Sequence, residues 1–241
     1  MVSVLDYPWK AYSCDPNMFF PQRSEEPELI DLGPPHYNPE EYQSCLDQLD
    51  RVGKYLGGDR ASLKTLQKLS FTPQSILDVG CGGGGFTQKL GSVYKEAVVK
   101  GIEISHDAVT LAKKHNTYSN VSFDYCNLSD VPSKSYDVVI STLVCHHLSD
   151  DDLIHFLKES LRVAKHKVIV NDLHRHPLAW LGFSVTAPLL FRNRLITHDG
   201  LLSIKRAFKR QDWDRYLHAL KVQGDLVWHW PFRWILTLDA T

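Results

Sequence analysis

Near residue 75 the chain's apolar positions change rhythm. From there the short apolar runs SILDV (75–79), AVVKGIE (97–103), VSFDY (121–125), YDVVIST (136–142) and KVIVND (167–172) alternate with stretches at helical spacing. That alternation predicts βαβ units and a parallel sheet. Helices are expected to open near Gly84, Ser105 and Ser149; the two serines are N-caps, and Asp107 and the Asp150–Asp152 run fall in first turns, where the helix dipole favours acids. An aromatic and apolar insertion, HRHPLAWLGFSVTAPLLFRNRLITHDG, follows the fifth strand and leads to helices over 199–208 and 211–220. GDLVWHW and FRWILTL, split by Pro231, then read as a terminal hairpin, which brings the expected count to seven strands.

Before residue 75 the pattern is different. Residues 1–38 carry prolines at 8, 16, 21, 27, 34 and 35 among Tyr7, Trp9, Tyr12, Phe19, Phe20 and Tyr37, a mixture that disfavours regular elements yet has much to bury. Asn38, Pro39, Glu40 and Glu41 supply an N-cap, a first-turn proline and first-turn acids for a helix toward Tyr55, stopped by Gly57 and Gly58, and a second short helix is expected over 59–69. The chain therefore divides into an arm and helical lid over 1–70 and a sheet-bearing domain over 71–241, with a substrate-cap insertion at about 174–220.

Composition narrows the partners. The 241 residues balance 27 Lys and Arg against 28 Asp and Glu, so no general positive field is available to hold nucleic acid or an anionic membrane. Positive charge does gather late, at Arg192, Arg194, Lys205, Arg206, Lys209, Arg210 and Arg215, which reads mainly as a solvated helix face with one residue available to an acidic acceptor. Five cysteines, an odd number without a CxxC pair, suit a reducing, cytoplasmic setting. The start MVSVLDYPWK lacks the basic and apolar regions of a signal peptide, and no run of about 20 apolar residues is present to span a membrane. The two Asn-x-Ser sequons, at Asn120 and Asn127, read as chance.

Five of the 14 glycines fall within 80–85, directly after the first apolar strand and at the opening of a helix. There the backbone approaches a ligand and amides point outward, and open α/β sheets bind ligands at this edge. Glu103 ends the second strand, where a carboxylate accepts both hydroxyls of a ribose. Gly80, Gly82 and Gly85 also satisfy GxGxxG, so spacing alone leaves a dinucleotide-dependent oxidoreductase open.

ILDVGCGGG, GIEIS and YDVVISTLVCHHL together resemble the class I S-adenosylmethionine-dependent methyltransferases, over roughly residues 75–175. The resemblance implies an α/β, seven-stranded Rossmann-like fold with a mostly parallel sheet, an antiparallel terminal hairpin and a helical N-terminal lid. It further implies S-adenosyl-L-methionine as cofactor, with Asp78, Gly80, Cys81, Gly82 and Gly84 on the methionine side, Glu103 at the ribose, and Asn127 and Leu128 at the adenine. Ile104 and Leu143 would also border the cofactor, and Arg23 would reach its carboxylate. Asn127 stands where the family commonly has Asp, and VAKHKV replaces the usual glycine-rich turn before the fifth strand. NDLHRHPLAW, HDGLLSIKRAF and LDQLDRVGKYLGG are similar to a bacterial small-molecule subgroup acting on quinone-like and polyketide substrates, which implies O- or C-methylation of a small aromatic or phenolic acceptor.

If the acceptor is a hydroxyl or phenol, a base near neutral pKa helps remove its proton. His146 and His147, just past the fourth strand, and His174, just past the fifth, are the candidates. Asp172 and Arg175 are expected to pair with each other or with the cap. Tyr7, Tyr12, Phe19, Phe20, Trp180, Phe183 and Phe191 are available to cover an apolar acceptor. No metal is expected, because neighbouring side chains diverge on a helix or strand and no HExxH or Cys/His spacing is present. A noncatalytic binding protein and a protein or tRNA methyltransferase remain alternatives, although no NPPY-like amino-group motif occurs.

Overall fold

The computed structural model describes residues 20–240 and opens with one helical turn, α1 (Leu29–Leu32). Asn38 acts as the expected cap, its Oδ1 accepting the Glu41 amide at 2.8 Å, and Pro39 fills the first position of α2 (Pro39–Tyr55). Gly57 turns the chain at φ 76° into α3 (Gly58–Leu66). This helix stops short of the expected residue 69 because the chain tightens there into i→i+3 bonds, from the Lys68 amide to Thr65 and from the Leu69 amide to Leu66.

The alternating region then delivers its parallel strands. β1 (Ser75–Val79), α4 (Gly85–Val93), β2 (Val98–Glu103), α5 (His106–His115), β3 (Val121–Tyr125), β4 (Tyr136–Thr142), α6 (Asp150–Val163) and β5 (Ala164–Leu173) follow in order. The Ser105 and Ser149 hydroxyls accept the Ala108 and Asp152 amides, as predicted. α6 ends at Val163 and runs straight into β5, so AKHKV is strand rather than turn, and β5 begins three residues earlier than expected.

After β5 come α7 (Pro177–Leu190), a five-residue π-helical turn (Leu195–Asp199), α8 (Gly200–Arg206) and α9 (Arg210–Leu220). The single helix expected over 199–208 is thus a π turn joined to a shorter α-helix. The hairpin β6 (Gly224–His229) and β7 (Arg233–Asp239) closes the sheet antiparallel to β5, in the order β3-β2-β1-β4-β5-β7-β6. Adjacent residues along the strands enter opposite cores: Leu77, Val139 and Val168 join Trp213 on one face, while Ile76, Val138 and Ile169 join Val99 and Phe123 on the other. A sheet buried on both faces explains why these strands read as continuous apolar runs. Strand order reverses between β1 and β4, and a crevice opens there at the strands' C-terminal ends.

Candidate active site

A cleft of about 1530 Å³ occupies that crevice. Its first wall is the loop between β1 and α4. Gly80 adopts φ 72° and a Cβ there would lie 2.4 Å from Val144, while Gly84 adopts φ 83° and a Cβ would lie 2.6 Å from the Phe123 ring. Both positions therefore require glycine for conformation and for space. Gly84 packs toward Phe123 on the back of the loop, and it is Gly80, Cys81, Gly82 and Gly83 that border the cleft.

Glu103 faces this loop. Its Oε2 accepts the Gly82 amide at 3.1 Å, and its Oε1 accepts the Ile104 and Ser105 amides at 2.7 and 3.0 Å. The carboxylate thus both clips the loop and caps the start of α5. Asp78 is buried and accepts the Thr87 hydroxyl at 2.7 Å; burial, opposed by that bond, pushes its carboxyl up to about 7. Burial also raises the Cys81 thiol. Ile104, Asn127, Leu128 and Leu143 line the same cleft, with Asn127 Oδ1 accepting the Ser129 amide and Leu143 held at φ 60°. The Thr142 hydroxyl, at the end of β4 beside them, is buried without a hydrogen-bond partner among the described residues.

α2 roofs this wall with residues the sequence reading did not single out. Tyr42 donates its hydroxyl to Ser105 Oγ at 2.8 Å, and Leu46 and Asp50 lie against Gly82 and Gly83. Burial, reinforced by Asp59 and Asp47, raises the Asp50 carboxyl to about 6. The spacing of Tyr42, Leu46, Leu49 and Gly53 marked a buried helix face, but nothing local says what covers it.

The opposite wall is assembled from distant segments. In the 3₁₀ turn Cys145–His147, His146 Nδ1 pairs with Asp172 Oδ1 at 2.8 Å and His147 Nδ1 pairs with Asp31 Oδ1 at 2.9 Å. Asp199, at the end of the π turn, accepts the Leu29 and Ile30 amides at 3.0 Å each, which fixes α1 with Glu28 and Asp31 toward the histidines. Arg206 donates to the carbonyls of His146 and His147 and holds the turn. Burial would lower the His147 imidazole, but the Asp31 bond and the charges of Glu28, Asp31 and Asp172 win and bring it to about 8. Burial raises the Glu28 carboxyl against the opposing pull of the two imidazoles. Burial would also raise Asp31 and Asp172, yet their histidine partners hold both below the ordinary range.

Several expectations need correction. Arg23 does not border the cleft: its guanidinium donates to Asp150 at 2.9 Å and to the carbonyls of Arg206 and Leu148, and lies 4.5 Å over the Phe208 ring. It clamps the arm to the domain, because these acceptors enclose it before it can reach the cofactor edge. His146 is 3% exposed and engaged by Asp172, so it is walled off from an acceptor. His174 borders the cleft, but its Nδ1 accepts the Trp228 indole N–H at 3.2 Å, which leaves the proton on Nε2. Burial, with the nearby charges of His176, Lys209 and Arg175, lowers it to about 4, and a base so weak is poorly matched to neutral pH.

Asp172 and Arg175 do not pair with each other; Asp172 holds His146 and Arg175 meets Asp212 at 2.9 Å. Much of the late basic cluster is likewise paired, Arg194 with Glu41 and Arg215 with Asp150. Of the aromatics, Phe183 lines the cleft and Phe20 packs against Trp180, while Tyr7, Tyr12 and Phe19 lie outside the described residues. The divergence expected of His146 and His147 fails too, because in a tight turn their rings sit 4.3 Å apart.

A parallel sheet with a reversed hairpin, a glycine loop after β1 and an acid ending β2 define the class I methyltransferase architecture. Residues 76–167 match the family described as methyltransferase domain. Among curated proteins it is 34% identical over 140 residues to ajmaline N-methyltransferase of Rauvolfia serpentina, covering 50% of this chain and 47% of that protein. It is 29% identical over 165 residues to ubiquinone biosynthesis O-methyltransferase of Bartonella bacilliformis, covering 65% of this chain and 63% of that one. The chain thus spans about half to two thirds of the length of these relatives. Among solved structures, the plantazolicin methyltransferase in complex with SAH shares the fold at TM-score 0.64 and 16% identity, over 84% of this chain and 90% of that one. A SAM dependent methyltransferase from Aquifex aeolicus does so at 0.62 and 17%, over 85% and 100%.

Proposed function

We propose that the protein is an enzyme that transfers the methyl group of S-adenosyl-L-methionine to a small-molecule acceptor, by O- or C-methylation of an aromatic, phenolic, quinone-like or polyketide-type ring. The observation that carries this reading is the Glu103 carboxylate turned onto the Gly80–Gly83 loop at the strand-order reversal, in a cleft that continues to His147. Asp78, Gly80, Cys81 and Gly82 serve the methionine side, Glu103 the ribose, and Asn127 and Leu128 the adenine, with Ile104 and Leu143 beside them. A carboxylate offers about four acceptor positions, and three amides already use Glu103, so a ribose diol displaces at least one of them.

Methyl transfer from a sulfonium is an in-line displacement in which the cofactor brings the activated group. The protein contributes mainly positioning, worth up to about 7–11 kcal/mol in favourable cases. The histidine wall activates the acceptor: His147 borders the cleft with Asp31 orienting it, and Glu28 lies beside both. The 174–220 segment caps this space through α7, while α1 and α2 close it as a lid over the 71–241 domain. A reducing, cytoplasmic setting belongs to the same proposal, supported by the free thiols of Cys45, Cys81, Cys126 and Cys145. No helix among the described residues is long and apolar enough to cross a membrane.

Calorimetry with S-adenosylhomocysteine tests the cofactor reading first, and absence of binding overturns it. Incubation with labelled S-adenosylmethionine and a metabolite extract, read for O-, C- and N-methyl products, then identifies the acceptor. Label in a small aromatic product is the expected result; label confined to protein or RNA sinks the small-molecule reading.

A further inference from the structure

Three side chains on the histidine wall surround a common point without bonding to one another. His146 Nε2 lies 3.7 Å from Glu28 Oε1, His147 Nε2 lies 4.0 Å from Glu28 Oε2, and one ligand-capable atom from each residue falls within 4.8 Å of the others. These separations exceed hydrogen-bond range. Metal–ligand distances of about 2.0–2.2 Å place tetrahedral donors roughly 3.3–3.6 Å apart, so a modest contraction brings the three donors to coordination distance.

The outer atoms of the same rings are already fixed. Asp172 holds His146 Nδ1 and Asp31 holds His147 Nδ1, which turns both Nε2 lone pairs inward when the imidazoles are neutral. Carboxylates in this position orient and strengthen metal-binding histidines. Ser203 donates to Glu28 Oε1 at 3.0 Å.

Charge points the same way. Glu28, Asp31 and Asp172 place three carboxylates around the turn, and Arg206 is the cation that reaches Glu28, at 3.9 Å. Arg23, on the far side of the turn, is already paired with Asp150.

We propose that Glu28, His146 and His147 bind one divalent ion of the zinc class through the two Nε2 atoms and a Glu28 carboxylate oxygen. Glu28, Asp31 and His147 border the cleft, so the ion's remaining coordination positions face the acceptor space. There a metal ion lowers the pKa of a bound hydroxyl or phenol. That role rests on the proposed methyl transfer, whereas ion binding does not.

The test is to dialyse the full chain against a chelator, titrate it with cobalt(II) chloride and follow the visible d–d absorption, then compete with zinc chloride. A saturable band at one ion per chain, displaced by zinc, is expected. Glu28→Gln and His147→Asn should abolish it, and Asp31→Asn should weaken binding by about 10–100-fold, with S-adenosylhomocysteine affinity and the near-UV circular dichroism retained. Asp31→Asn, which keeps the side chain's size, carries the test if Glu28→Gln does not fold. The proposal is overturned if the wild type gives no saturable band, if the folded variants bind cobalt as the wild type does, or if nuclear magnetic resonance finds both imidazoles protonated at neutral pH in the presence of zinc. A cobalt band without S-adenosylhomocysteine binding keeps the ion site and removes the methyl-transfer reading; the reverse pattern removes the ion site alone.

Discussion

The two walls of the cleft are built in opposite ways. The glycine wall draws its groups from 78–85, 103–105 and 127–128, each at or just past the C-terminal end of a parallel strand, and the loop contributes backbone amides and space. The histidine wall joins side chains from α1, the turn after β4, the end of β5 and α8; His147 and Asp31 alone are 116 residues apart. A site made of backbone needs only the right turn in the right place. One made of paired charges needs the whole tertiary structure to bring each charge to its partner, since burying either alone is costly.

Perturbing each wall should therefore give different losses. His147→Ala is expected to lower turnover by about 10²–10⁴-fold while S-adenosylhomocysteine binding in calorimetry is unchanged. A parallel fall in affinity would join the walls into one site and erase the contrast. Glu103→Ala should do the reverse and weaken cofactor affinity by about 10–150-fold, from charge-assisted hydrogen bonds worth about 1.5–3 kcal/mol each. Unaltered affinity would reduce Glu103 to a helix cap.

Gly84→Ala tests whether the glycine wall needs its backbone shape. The positive φ and the contact with Phe123 predict a loss of roughly 2–4 kcal/mol in denaturant unfolding. Asp78 gives a pH-dependent probe of the same wall. Its folded-state pKa of about 7 lies above the ordinary carboxylate value, so the folded chain binds the extra proton between those limits and stability falls as pH rises through the window. Asp78→Asn should melt higher than the wild type above pH ~7, with the gap closing by about pH 4. An equal gap at both ends would refute the buried-acid account. The smallest effect is expected from His174→Phe, which keeps the ring packing against Trp234. Initial rates should fall by less than about tenfold, below the range of a lost general base.

Element by element, how readable the chain is follows how local the cause is. Asn38, Ser105 and Ser149 cap their helices because a cap needs only its own first turn. The parallel strands and the closing hairpin follow from alternation and turn residues, with ends shifted by up to three residues. By contrast, Arg23 and Arg175 offered no local sign of their partners, and an arginine takes whichever acceptors the fold brings to it. His146 and His147 were expected to diverge because helix and strand impose that, and a 3₁₀ turn imposes no such rule.

By itself the amino-acid order determined the α/β class, the glycine loop, the acid at the end of β2 and the roof helix, all from contacts within a few residues or a regular period. Tertiary structure alone decided which acid meets which histidine, that Asp50 lies over the loop, and that Arg23 clamps the arm instead of reaching the cofactor edge. Long-range pairing depends on where whole elements pack, and no short window of sequence carries that information.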